Sequence, residues 1–369
     1  MTKATPVGVA LIGCGTISTA YLSNLTSFPD LRVLFCADLD VERAKAQAAA
    51  FNVPAAGTVG EALAEPDVEI VVNLTIPAAH LEVSGAAIAA GKNVWVEKPI
   101  TLDSASAREL IAAAGAAGLR IGCAPDTVLG AGLQTARRLI DSGAIGAPQT
   151  GLALLQGPGP ERWHPDPEFL FQRGAGPLFD MGPYYLTTLA TVFGPATRVA
   201  AVSRRAQQTR VIGRGPKAGT EFEVEVPTYV SALIEYASGP SATIVLSFDS
   251  ALSRYGFVEI AGATATMALP DPNRFDGDVR VHELGATDWS PVAASGAADG
   301  RGLGVLDLAR GLRSGAPHRA TGEIALHVLE ILEAIDRSAT TRAFEPVLSS
   351  FTRPAALPED WDPHAATLA

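Results

Sequence analysis

Val7-Gly8-Val9-Ala10-Leu11-Ile12-Gly13-Cys14-Gly15-Thr16-Ile17-Ser18 is the stretch on which the fold turns. The run from Val7 to Ile12 is apolar and strand-like, and it passes straight into glycines. Ile17 to Ser27 then suits a helix. A strand that ends in Gly-x-Gly and feeds a helix is the layout of a dinucleotide fingerprint, with Ser18 in the third glycine position. Gly13 permits the tight turn, and Gly15 lets the backbone approach a pyrophosphate. Thr16 and Ile17 open the helix whose free N–H groups and positive dipole end face the phosphates. Serine is small enough to keep the close helix–strand packing that the third position serves.

Glycines also serve ordinary turns, so context carries the reading. A second strand, Leu31 to Ala37, ends in Asp38, close to the ~20-residue spacing expected of a ribose-binding acid. A carboxylate there accepts hydrogen bonds from the ribose hydroxyls and repels a 2′-phosphate. NAD is therefore the expected cofactor, with NADP less favoured and flavin a minor competitor. The other reading of Asp38 is a cap on the next helix.

Working outward, strand-like and helix-like segments alternate. Helices are expected at Val41 to Phe51, Ala78 to Ala90 and Ser104 to Ala117. Strands are expected at Val68 to Leu74, Asn93 to Val96 and Arg120 to Cys123. Such alternation means a parallel sheet covered by helices. This places a Rossmann domain over residues 1–124.

After about Asp126 the pattern changes. A helix over Gly132 to Ser142 precedes β-rich stretches at Gln149 to Gln156, Ala196 to Ala206, Glu221 to Tyr236, Ala242 to Phe248, Phe257 to Ala268 and Val279 to Leu284. Phe222-Glu223-Val224-Glu225-Val226 alternates as a strand with one wet face does. A helix after Gly174-Ala175-Gly176-Pro177 stops at Gly194-Pro195. Two more are expected at Leu303 to Ser314 and Glu323 to Ser338. Residues 125–345 thus read as an α+β substrate and oligomerisation domain with a large, mostly antiparallel open sheet. Residues 346–369, with Pro346, Pro354, Pro358 and Pro363, read as an extended tail.

Composition narrows the function classes. The chain is 47% hydrophobic with a formal net charge of -11. An acidic chain without a basic cluster is a poor nucleic-acid binder. No apolar run reaches the ~18 residues of a membrane span. The N-terminal apolar run flows into glycines, unlike a signal peptide, so the expected location is the cytoplasm. Cys14, Cys36 and Cys123 form no Cys-x-x-Cys pair, and no metal site is expected. They read as buried thiols in a reducing compartment.

Two further groups carry chemistry. Thr75-Ile76-Pro77 lies at the end of a parallel strand, where ligands bind in open α/β sheets. His80 follows on the next helix, as a cofactor contact or as a structural histidine. Asn93 to Val96 ends in Glu97-Lys98-Pro99, and the proline pushes Lys98 into an extended conformation at the strand end. Lysines are scarce here (Lys3, Lys45, Lys92, Lys98 and Lys217), so one at that place is less apt to be incidental. The alternative is a surface lysine paired with Glu97.

The second group is Pro177-Leu178-Phe179-Asp180-Met181-Gly182-Pro183-Tyr184. Asp180 and Tyr184 share a face if the segment is one helix. Gly182 and Pro183 inside a helix cost about 1 and 3 kcal/mol relative to alanine. That cost suggests a kink or a close approach to a ligand.

The ordered set of glycine turn, Asp38, Thr75-x-Pro77, Glu97-Lys98-Pro99 and Asp180-x-Gly182-x-Tyr184 resembles the glucose-fructose oxidoreductase/inositol dehydrogenase/rhizopine catabolism (Gfo/Idh/MocA) family. The resemblance is specific through Tyr184; the later sheet matches only in general form. It implies an NAD(P)-dependent dehydrogenase or reductase acting on CH–OH groups of a sugar or cyclic polyol, in dimers or tetramers. Family members commonly carry histidine at the position of Tyr184, and this departure puts any inositol dehydrogenase assignment in doubt. Relatives such as glucose-fructose oxidoreductase look similar in using tyrosine.

The expected mechanism has Lys98 and Tyr184 converge beside the nicotinamide. Hydride leaves a substrate C–H for the ring while Tyr184, or Lys98 itself, takes the hydroxyl proton. A phenol titrates near ~10, so it needs a cation such as Lys98 nearby to act near neutrality. Asp180 orients the substrate or the lysine. Alternatively, Tyr184 packs the helix with Tyr185. Weaker substrate-pocket candidates are Asp126, His164, Arg173 and His318. His164 stands in a polar and aromatic loop, Arg162-Trp163-His164-Pro165-Asp166. The competing function is a non-catalytic NAD-binding sensor; a hydrolase lacks any Gly-x-Ser-x-Gly elbow. The open face of the second sheet is expected to pair subunits.

Overall fold

The computed structural model describes residues 5–368 and divides into two compact units. The first takes Met1–Gln134, Ser295–Leu326 and Pro354–Ala369; the second takes Thr135–Ala294 and His327–Arg353. Residues 1–4 and 369 lie outside the described residues.

The first unit begins with β1 (Val7–Ile12), α1 (Thr16–Leu25), β2 (Leu31–Ala37) and α2 (Val41–Ala50). Next come β3 (Ala55–Gly57), α3 (Val59–Ala64), β4 (Ile70–Asn73), α4 (His80–Ala89), β5 (Asn93–Val96), α5 (Ser104–Ala116) and β6 (Ile121–Cys123). All six strands are parallel, in the order β3-β2-β1-β4-β5-β6. This is the doubly wound order, and it puts the switch point between β1 and β4. The strands are apolar throughout because helices cover both faces; every residue of β1 is buried.

Local chemistry fixes the helix starts. Asp40 caps α2 through the Arg43 N–H, and Asp103 caps α5 through the Ser106 N–H. Thr58 and Glu61 form a reciprocal capping box on α3. β3 and α3 were absent from the sequence reading, because strands and helices this short leave no full period to detect.

α6 (Ala131–Asp141) spans the boundary in the chain between the units. The second unit continues with β7 (Pro148–Gln156), a π-helical turn at Pro177–Met181, α7 (Gly182–Phe193), β8 (Ala196–Arg204), β9 (Thr209–Val211), β10 (Glu221–Glu223), β11 (Tyr229–Tyr236) and β12 (Ser241–Ser247). Then come β13 (Arg254–Gly262), β14 (Ala265–Leu269), β15 (Val279–Glu283) and β16 (Ser290–Val292). α8 (Leu303–Ser314) belongs to the first unit, while α9 (Gly322–Thr341) starts there and runs into the second. β17 (Glu345–Pro346) closes the large sheet of the second unit.

That sheet has nine strands in the order β16-β15-β14-β13-β7-β12-β11-β8-β17. Only the β7–β12 pair is parallel. The expected mostly antiparallel sheet is present, with three corrections. The run from Phe257 to Ala268 is two strands, turned at Ala263-Thr264. The run from Glu221 to Tyr236 also splits. Only Glu221–Glu223 of its alternating part is a strand, β10, which pairs with β9 in a separate two-stranded ribbon. The tail is not a loose extension: β17 pairs with β8, and Leu357 and Leu368 are buried.

The unit boundaries also differ from the expected division at 124 and 345. α8 and the tail complete the first unit instead. Asp30, fully buried, accepts hydrogen bonds from Arg310 Nε, Thr367 Oγ1 and the Leu368 N–H at 2.8, 2.6 and 2.8 Å. Burial pushes its carboxyl up, but these donors together hold it below the ordinary carboxylate range. Trp95, also fully buried, fills the space over two glycines. A Cβ on Gly304 would lie 1.9 Å from its ring, and one on Gly122 2.6 Å.

Candidate functional site

The C-terminal ends of β1, β4, β5 and β6 stand level. Ile12 pairs with Asn73, Asn73 with Val96, and Val96 with Cys123. The glycine turn, the Thr75 turn and the Lys98 turn are therefore consecutive neighbours along one edge of the sheet. This is the crevice where ligands bind in doubly wound folds.

At the first turn, Gly13 has φ 98°, and a Cβ there would lie 2.7 Å from the Leu74 backbone. Glycine is required on both counts. Gly15 is the N-cap of α1, and a Cβ built on it meets nothing within 4 Å. The space over the helix N-terminus is open, as a bound pyrophosphate requires. Thr16 and Ile17 are exposed in the first turn of α1. Ser18 is fully buried and donates its hydroxyl to the Gly15 carbonyl at 2.6 Å, so the third-position serine satisfies its own polar atom.

Asp38 is not the cap of α2; Asp40 is. The Asp38 carboxylate accepts the Cys14 N–H at 2.7 Å and the Asp40 N–H at 2.9 Å, with Arg43 at 3.8 Å. It braces the glycine turn, and its second lone pairs stay free to accept from a diol. The residues present fit a dinucleotide.

The second turn is organised by Asn73, which the sequence reading passed over. Its amide donates to the His80 carbonyl and to Ser84 Oγ, at 3.1 and 3.0 Å. Its Oδ1 accepts from the Thr75 N–H and hydroxyl, at 3.2 and 2.6 Å. The available signal was a single amide inside the apolar run from Val68 to Leu74. Pro77 begins a 3-10 turn, and Ile76 is exposed. His80 is 1% exposed, with Nδ1 2.6 Å from the Pro99 carbonyl and Nε2 3.0 Å from the Thr75 carbonyl. Burial lowers its pKa, against the pull of those two carbonyls. Both ring nitrogens face protein carbonyls, which argues for a structural role over the expected cofactor contact.

At the third turn, Glu97 accepts from the Tyr21 hydroxyl at 2.8 Å and from the Lys98 N–H at 3.0 Å. Trp95 Nε1 donates to the same Tyr21 hydroxyl at 3.2 Å. Burial, and then the Glu97 charge, push the Tyr21 phenol well up. Lys98 is half-buried, and the Lys98–Pro99 and Ala124–Pro125 bonds are cis. Lys98 belongs to the first unit, and Asp180 and Tyr184 to the second.

Within the second unit, Asp180 lies in the π-helical turn and is half-buried, while Tyr184 is 6% exposed in the first turn of α7. Gly182 and Pro183 therefore lie where the π-helical turn passes directly into α7. The α-helical geometry begins at Gly182, whose N–H bonds back into the π-helical turn, and Pro183 occupies the first turn of α7. A Cβ on Gly182 would lie 2.9 Å from Leu332 Cδ2. π-turns recur at functional sites. Tyr185 is fully buried and accepts the Gly256 N–H at 2.9 Å; burial pushes its phenol up. Tyr185 thus serves packing.

The weaker candidates separate. Asp126 is fully buried and accepts from the Gly302 and Gly304 N–H groups at 2.8 and 3.3 Å, and from Arg301 at 3.3 Å. It holds the start of α8, and burial raises its pKa. His318, with Nε2 3.0 Å from the Ile121 carbonyl, is likewise buried, which lowers its pKa. These contacts give both residues structural work within the first unit and correct the expectation that they line a pocket. His164 packs edge-on against Trp163 and Phe169, and its Nδ1 accepts the Asp166 N–H at 3.0 Å. Arg173 is exposed, and its N–H reaches Glu225. The loop bearing His164 rests on a buried ion network, Glu161–Arg210–Asp249, that sequence reasoning did not find.

Among the described residues, no group of three or more His, Cys, Asp or Glu is arranged to hold a metal ion. Among them, too, no helix is long and apolar enough to cross a membrane.

Comparison with known proteins agrees with this geometry. Residues 7–124 match the oxidoreductase family with an NAD-binding Rossmann fold, and residues 133–268 match the GFO/IDH/MocA C-terminal domain. An uncharacterized oxidoreductase of Rhizobium meliloti is 29% identical over 91% of this chain and 99% of its own. The trans-1,2-dihydrobenzene-1,2-diol dehydrogenase of Mus musculus is 27% identical over 67% of this chain and 70% of its own. The crystal structure of an NAD-binding oxidoreductase from Klebsiella pneumoniae shares the fold. Its TM-score is 0.82 at 23% identity, over 94% of this chain and 100% of that one.

Proposed function

The chain belongs to the GFO/IDH/MocA family of NAD-binding oxidoreductases, and we propose that it oxidises or reduces a CH–OH carbon of a sugar or cyclic polyol. The observation that carries this reading is the level row of turns holding Gly13, Thr75 and Lys98 at the switch point of the first sheet. Bound NAD supplies the hydride acceptor. The N–H groups at the start of α1 hold the pyrophosphate, and Asp38 accepts the ribose hydroxyls. That carboxylate disfavours a 2′-phosphate, so NAD is preferred over NADP.

Lys98 and Tyr184 handle the proton of the substrate hydroxyl. Tyr184 is the acid/base, with Lys98 itself as the alternative. Asp180 orients the lysine or the substrate by hydrogen bonding. The diol that gives the mouse relative its name has the vicinal CH–OH groups that sugars and cyclic polyols share.

The test mixes the protein with NAD and a panel of cyclic polyols and aldoses and follows absorbance at 340 nm. Turnover that disappears in Lys98→Met supports the enzyme. Tight NAD binding with no turnover across the panel supports a sensor instead.

Subunits are proposed to associate through the outward face of the nine-stranded sheet. Leu152, Val202 and Leu233 are exposed there, among Ser231, Thr243 and Glu259. A dimer or tetramer by light scattering is expected, and a strict monomer refutes it. The three buried free thiols support a reducing compartment, the cytoplasm.

A further inference from the structure

We propose that His80 is a positioning residue, which clamps the Lys98 turn to the Thr75 turn and thereby fixes where the lysine is presented. The inference rests on the reading that Lys98 handles the substrate proton.

Its geometry is unusual for a helix-start residue. The ring is 1% exposed and spans two carbonyls from different strand ends, Thr75 after β4 and Pro99 after β5. The backbone carbonyl of the same residue accepts from Asn73, and Asn73 accepts from the N–H and hydroxyl of Thr75. The chain of contacts from Asn73 through Thr75 and His80 to Pro99 thus links both turns that flank the cofactor crevice. Pro99 is bonded directly to Lys98, so a shift of its carbonyl moves the lysine backbone.

A neutral imidazole donates only one hydrogen bond. With that proton on Nδ1 the ring donates to the Pro99 carbonyl at 2.6 Å, and the tie to the Thr75 turn runs through the His80 carbonyl and Asn73 rather than through Nε2. Glu97 and Lys98 are the charged groups acting on the ring: the carboxylate favours its second proton and the ammonium opposes it. Supporting shells of this kind hold catalytic groups within a fraction of an ångström, and a misplacement of about 1 Å can cost about a hundredfold in rate.

The experiment uses the full chain with NAD and a substrate from the panel. His80→Ala is expected to lower kcat by about a hundredfold, with little change in NADH affinity, and added imidazole is expected to restore part of the loss. A lowered melting temperature with unchanged kcat per folded molecule and no response to imidazole would overturn the proposal. If His80→Ala does not fold, His80→Gln decides: reduced kcat with retained NADH binding supports the clamp, and full kcat sinks it. If Lys98→Met keeps wild-type turnover, or no substrate is found, the proton-handling reading falls separately. The clamp is then judged from a crystal structure of His80→Gln. A displaced turn at residues 97–99 supports it, and an unmoved turn overturns it.

Discussion

Asp38, at the end of β2, accepts the backbone N–H of Cys14 at 2.7 Å, in the middle of the glycine turn that follows β1. The acid assigned to the ribose is therefore also the brace of the phosphate turn. Asp38→Ala leaves that N–H without its partner and is expected to cost about 1–3 kcal/mol. Asp38→Asn keeps an acceptor and removes the charge. Calorimetric titration with NADH and NADPH should show their affinities drawing together in Asp38→Asn. An unchanged ratio would show that this carboxylate does not set cofactor choice.

Lys98→Met and Tyr184→Phe are each expected to lower kcat by about 10²–10⁴, the range for lost acid/base catalysis. Circular dichroism should show both variants folded. Because the two residues are assigned to one proton transfer, the double variant should be little worse than the poorer single one. Strictly multiplicative losses would place the two side chains in independent roles.

Gly304→Ala is expected to destabilise the first unit by about 3 kcal/mol, the upper part of the overpacking range. The added methyl would fall 1.9 Å from the buried Trp95 ring, which cannot retreat without losing its bond to Tyr21. Denaturant melts of Gly304→Ala, Trp95→Leu and the pair supply the check. A smaller loss in the double variant than the sum of the singles confirms the clash, and simple additivity would place it elsewhere.

His327 carries a pH dependence in the second unit. Its Nε2 accepts the Ala196 N–H at 2.9 Å, and Nδ1 lies 3.0 Å from Ser349 Oγ, so the fold uses the neutral ring. Burial lowers its pKa to about 4. The unfolded chain, titrating near ~6.5, binds the proton first. The contribution is fully present above about pH 6.5 and is lost as pH falls toward about 4, in total about 3 kcal/mol. His327→Gln, followed by thermal melts from pH 7 to 4, should flatten this slope. An equal slope in both proteins would remove His327 from the account.

The first sheet was legible because each of its main strands is a buried apolar run with a turn signal behind it. Gly13 and Gly15 could be read in place, since a Gly-x-Gly pair between a strand and a helix is itself the local signal. Asp126 could not. It follows a sheet strand and looks like a crevice residue, but its partners Gly302 and Gly304 lie in a distant stretch of chain. Gly182 and Pro183 signalled an irregular helix, but not its form, because side-chain identity does not distinguish a kink from the π-helical turn that precedes them. His80 was legible with its two roles open, since the carbonyls its ring faces leave no trace in side-chain identity.

The nucleotide-binding unit is assembled from three separate stretches of chain, the last of them sealing Asp30. During synthesis the ribosome emits β1 to β6 long before α8 and the tail exist. The nascent sheet must then wait with the Trp95 face and a carboxylate uncovered. Release of the last stretch, rather than completion of the sheet, is the event that makes the unit a closed body. An excised fragment ending at residue 124 should accordingly behave as an open, aggregation-prone intermediate.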